Sequence, residues 1–62
     1  MEKAKFDKYY ETLVAEIEAY NAEGRSVTRY DLVKIIVGWD VMIDKDIVAL
    51  IDALYENELI IE

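Results

Sequence analysis

The sequence predicts a mostly α fold, a single domain over residues 1–62 in which three helices are joined by a minimal two-stranded β element pairing residues 26–28 with 59–61. Three observations predict it. Apolar residues recur at spacings of three and four, capping signals precede the second and third helical segments, and residues 59–61 form a short apolar run just after a polar stop.

The first segment carries Phe6, Tyr10, Leu13, Ile17 and Tyr20 on one helical face, with Glu11, Glu16 and Glu18 largely off it. This spacing predicts a core-facing helix from about residue 3 to 22, ended by Gly24, because glycine accepts the left-handed conformation at a helix terminus. Under three heptads are too few for a coiled coil. Thr28 followed by Asp31 then resembles a capping box, and Val27 with Leu32 stands where a hydrophobic staple belongs, so a second helix begins near Arg29. Leu32, Val33, Ile35, Ile36 and Val37 leave little polar face before Gly38, which predicts the most buried element of the fold.

Residues 39–43 form the next connection. Asp44 is a strong cap for a third helix, with Ile43 and Val48 as a second staple pair, and Ile47, Leu50, Ile51, Leu54 and Tyr55 make its apolar stripe. Asn57 is expected to be its left-handed end, after which residues 59–61 read as a strand.

Size and composition set the limits. A chain of 62 residues buries only about 60% of its extended surface on folding. With no cysteine and no histidine it has neither disulfides nor the usual zinc ligands, and must close on apolar packing alone. Five tyrosines and one tryptophan exceed what a three-helix core readily encloses, so some rings are expected either half-exposed at its edge or against another protein, a second copy included. No apolar run reaches the roughly 20 residues of a membrane span, and no signal-peptide stretch follows the first residues, which reads as cytoplasmic.

Charge is distributed unevenly. Residues 1–34 carry seven acids against six bases, whereas residues 35–62 carry seven acids against Lys45 alone, for a net charge of -7. Attraction to phosphates or anionic lipid is unfavourable overall.

Catalytic and metal constellations are missing from the sequence. An EF-hand loop starting at Asp40 would need an oxygen ligand, a glycine and a glutamate where Met42, Lys45 and Ile51 stand, so Asp44 and Asp46 read as helix-start acids instead. No Ser-His or Cys-His pairing and no glycine-rich phosphate loop is present, and short helices leave hardly any cleft for opposed carboxylates. The expectation is a non-enzyme without cofactor.

The order of elements, with Ser26-Val27-Thr28 leading into the second helix, the spaced Leu50 and Leu54, and the run from Tyr55 to Ile60, resembles winged-helix proteins, a branch of the helix-turn-helix group. The resemblance covers about residues 5 to 61. It implies a helix-turn-helix core whose third helix reads DNA in DNA-binding members, which use donors and cations there. Here that helix offers Lys45 against Asp44, Asp46, Asp52 and Glu56, and residues for a second wing strand are lacking. A wingless, acidic member implies a protein-interaction module.

The expected function is therefore a small acidic interaction module, a regulator or inhibitor of the phage or viral type, that binds a basic surface of a partner protein and forms a homodimer in one version of the reading. Its expected contacts are Trp39, Asp46, Asp52, Glu56 and Tyr9, within a wider acidic run of Asp40, Asp44, Glu58 and Glu62. The alternative is a sequence-specific, dimeric DNA-binding protein using Arg25, Arg29, Lys34 and Lys45. Those bases equally suit a solvated surface that neutralises Asp31 and Glu23.

Overall fold

A computed structural model describes residues 1–61 and shows a mostly helical, three-helix fold. Helix α1 spans Lys3–Ala22, α2 spans Arg29–Gly38 and α3 spans Lys45–Glu56. The boundaries follow from local chemistry. Thr28 caps α2 by accepting from the Asp31 backbone N–H at 3.2 Å, while the Asp31 carboxylate accepts from the Thr28 N–H at 3.0 Å, which completes the capping box. Asp44 caps α3 by accepting from the backbone N–H groups of Asp46 and Ile47 at 3.1 and 3.0 Å.

Each helix is followed by a left-handed residue, at Gly24 (φ 79°), Asp40 (φ 61°) and Glu58 (φ 62°). Two expected stops are thereby corrected: Asn57 keeps φ -85° and hands the left-handed position to Glu58, and Gly38 lies inside α2. The reason at α3 is a Schellman closure. The Leu59 N–H donates to the Leu54 carbonyl and the Glu58 N–H to the Tyr55 carbonyl, both at 3.0 Å, and this ring requires the residue after the cap to turn left. Gly24 closes α1 the same way, with Arg25 donating to Tyr20 and Gly24 to Asn21.

The core is Leu13 and Ile17 of α1, Leu32 and Ile36 of α2, Ile47, Leu50, Ile51 and Leu54 of α3, with Val27 and Ile60 from the flanking segments. Helix α3 packs on both other helices and buries four residues. It, rather than α2, is the most buried element. Helix α2 has ten residues and one neighbouring face, so Val37 remains 59% exposed despite the apolar run that surrounds it. Val27 and Leu32 are buried together as the staple position requires, whereas Ile43 and Val48 both remain exposed, so the second expected pair adds nothing to the core.

The β element is reduced to one parallel bridge between Thr28 and Ile61, in which the Ile61 N–H donates to the Val27 carbonyl at 2.9 Å. It joins the two stretches expected to pair and seats Ile60 in the core beside Val27. No helix among the described residues is long and apolar enough to cross a membrane.

Candidate interaction surface

Three of the seven cations, Arg25, Arg29 and Lys34, gather where α1 ends and α2 begins, and tyrosine rings receive them. Arg25 lies 4.9 Å from the centroid of Tyr20, Arg29 lies 4.8 Å from that of Tyr55, and Lys34 lies 5.4 Å from that of Tyr30. Such geometry satisfies a cation on the quadrupole of the ring without removing it fully from water. Arg29 also forms an ion pair with Asp52 of α3 at 2.5 Å. Around Arg25 and Lys34 runs a shallow cleft of about 210 Å³ lined by Tyr20, Ser26, Val27, Asp31 and Ile35. The Asp31 carboxyl titrates below its ordinary range, chiefly because it accepts from the Thr28 backbone N–H, with the nearby charges of Lys34 and Arg25 adding to the effect. Lys45 stands apart, exposed at the first position of α3.

The acids divide into two groups. Asp46 and Asp52, expected to stand free on α3, are both engaged within the chain. Asp46 accepts from the amino group of Met1 at 2.7 Å, a hydrogen bond that holds its carboxyl below the usual carboxylate range. Asp52 is met by Arg29 because the start of α2 packs beside the middle of α3, a proximity that separation along the chain conceals. Asp40, Glu56 and Glu58 are exposed and have no ion-pair partner among the described residues. Asp44 is exposed but occupied as a cap. Glu62 lies outside the described residues.

Trp39 and Tyr9 are brought together. Their rings stack with centroids 5.6 Å apart and planes 23° from parallel, which fastens the end of α2 to α1 and covers a face of the indole expected to be open. Both remain half-buried against the core. Tyr10, the next residue of α1, reaches the end of α3 instead, where its hydroxyl accepts from the Asn57 side-chain amide at 2.7 Å. Among the described residues no group of acidic side chains is arranged to hold a metal ion.

A second feature was not singled out from the sequence. Past the end of α3, Tyr55, Glu56, Glu58, Ile60 and Ile61 line an open groove of about 590 Å³. Tyr55 and Ile61 are 38% and 53% exposed, while Ile60 forms a buried floor. The signal in the sequence was Glu56 and Glu58 set between Tyr55 and the apolar run 59–61, of which the short-strand reading used only the last three residues. Comparison with protein-family models, with curated proteins and with solved structures finds no match.

Proposed function

We propose that this chain is a small acidic protein-interaction module, winged-helix-like, that acts as a regulator or inhibitor by occupying the basic surface of a partner protein. The observation that carries the reading is the contrast in how charges are used. At the junction of α1 and α2, Arg25, Arg29 and Lys34 are each applied to a tyrosine ring, Arg29 also to Asp52, and exposed Lys3, Lys5 and Lys8 stand in the first turns of α1, whereas the second half of the chain presents exposed Asp40, Glu56 and Glu58 against Lys45 alone.

Electrostatic steering by exposed carboxylates favours encounter with a cationic surface, and the same field opposes approach to phosphates. A basic surface that ordinarily holds nucleic acid is the natural counterpart, which would make the module an inhibitor of the phage or viral type. The engaged pairs at Asp46 and Asp52 shift the contact away from the middle of α3 and towards Glu56 and its neighbours.

Capture from native lysate, followed by binding kinetics on the recovered partner, tests this. Asp40→Lys, Glu56→Lys and Glu58→Lys combined should slow association at low salt, by about tenfold or more, and the effect should fade as salt rises. An unchanged association rate would sink the reading. Random-sequence duplex DNA is the second probe. Binding at low salt that falls steeply with added salt would reverse the conclusion in favour of a DNA-binding protein using Arg25, Arg29, Lys34 and Lys45.

A further inference from the structure

We infer that the groove beyond the end of α3 is the docking site of a short partner segment in which an apolar side chain is flanked by lysine or arginine. The inference deepens the functional reading above, on which it rests, by assigning the surface and the chemistry of what fills it.

The groove offers two kinds of contact side by side. Tyr55, Ile60 and Ile61 supply an apolar floor and walls, of which Tyr55 and Ile61 remain substantially open to water. The groove is shallow and widely open, which suits a segment laid across it rather than an enclosed small molecule. Glu56 and Glu58 line the same groove, and both are exposed.

The field there is negative for a further reason. The last turn of α3 contains no basic residue to offset the two glutamates, and the negative end of the helix dipole points the same way, although the Schellman bonds already engage the Leu54 and Tyr55 carbonyls. The neighbouring cation is Arg29, which lies over the Tyr55 ring and is matched by Asp52. An anionic or purely apolar segment would leave Glu56 and Glu58 facing like charge or a dry surface, at a cost in desolvation. A purely cationic segment would leave Tyr55 and Ile61 uncovered. A segment carrying both satisfies the whole lining.

The alternation of charge and apolar surface also separates this groove from the cleft at Arg25 and Lys34. There Arg25 and Lys34 outnumber the one carboxylate, Asp31, so that cleft is net positive and opposes a lysine- or arginine-bearing segment.

Two fluorescein-labelled probes distinguish the terms: a five-residue peptide alternating lysine with leucine, and its counterpart alternating lysine with glycine. Anisotropy at low salt should show the leucine peptide binding more tightly, and amide shifts should concentrate at Tyr55, Glu56, Glu58, Ile60 and Ile61. Glu56→Lys with Glu58→Lys should weaken the leucine peptide by about tenfold, whereas Glu11→Lys with Glu18→Lys, an identical change in net charge on α1, should weaken it by less than about threefold. The groove variant retains its fold, since a lysine in the last turn suits the helix dipole. Its amide spectrum confirms this before binding is measured.

Equal losses from the two charge pairs, equal affinity for the two peptides, or shifts centred on α1 would each overturn the groove while leaving the broader acidic-module reading in place. Absence of low-salt binding to both peptides, together with an unaltered association rate of the captured partner in the charge-reversal experiment, would remove both.

Discussion

The start of α2 and the end of α3 lie side by side, linked by Arg29, yet they follow opposite local rules. At the start of α2 every choice favours the helix. Thr28 and Asp31 satisfy each other's backbone donors, Val27 and Leu32 close over the turn, and an acid sits near the positive end of the dipole. At the end of α3 a glutamate occupies the last turn, another adopts φ 62° where glycine would be unstrained, and apolar Tyr55 and Ile61 stay wet. Both ends contribute a buried leucine to the core, but local capping chemistry favours the helix only at the start of α2, while the surface at the end of α3 retains features that serve folding poorly. Such departures from local consistency are where function is sought first.

The contrast can be broken most forcefully through the core that both ends share. Leu32→Ala at the start of α2 and Leu54→Ala at the end of α3 each remove a fully buried side chain and should each cost about 2–5 kcal/mol. A core of this size supplies roughly 3–5 kcal/mol in all, so urea denaturation should find both variants largely unfolded. Should Leu54→Ala remain folded with Leu32→Ala lost, the end of α3 would be an appendage rather than part of the core.

Smaller changes sharpen it. Thr28→Ala should destabilise by about 1 kcal/mol through loss of the cap, and Glu58→Gly should stabilise by about 1 kcal/mol by relieving the left-handed backbone. In a domain of this length that corresponds to Tm shifts of opposite sign and of about 4–8 °C. A fall in Tm for Glu58→Gly would show that the side chain contributes more than its backbone costs. Smaller again, Glu56→Lys should raise stability by about 0.3 kcal/mol as the new cation meets the helix dipole, even as it weakens binding in the groove. A loss in thermal stability would contradict that division of roles.

The least of these effects is the dependence on acid. Asp31 has its folded pKa depressed by the Thr28 N–H, so its contribution is complete above the unfolded value of about 3.9 and disappears as pH falls through the lower folded value. A carboxyl-carbon NMR titration should place the Asp31 midpoint below that of the same residue in an unfolded peptide. Coincident midpoints would mean that the capping box is absent in solution.

Helix starts were legible in the sequence because a cap is a side-chain decision. Thr28, Asp31 and Asp44 carry the necessary oxygens, and all three act as read. Helix ends were less so. The left-handed position after α3 is dictated by Leu59 reaching back to Leu54, a backbone constraint that overrides the preference of Asn57, and the same mismatch separates Gly38 from Asp40. Periodicity identified the α3 stripe, but it overstated α2, since an apolar helix is buried only as far as it has neighbours. The surface was hardest to read. Trp39 and Tyr9 were both singled out, yet their stacking, like the pairing of Asp52 with Arg29, exists only once distant segments are packed together. Asp46 and Asp52 therefore looked free in the sequence and are not, while the groove joins a helix end to residues that had been read simply as a strand.

The lone bridge from Ile61 to the segment ahead of α2 has a kinetic consequence. It closes a loop containing two entire helices, and with one backbone hydrogen bond among the described residues it has little to repay that closure until those helices have docked. It is thus the last link made in folding and the first undone. The amide of Ile61 should exchange with solvent through brief local opening while Leu50 and Leu54 stay protected until the whole domain unravels. Ile61 then behaves as a latch, releasing and reseating many times within one lifetime of the folded state.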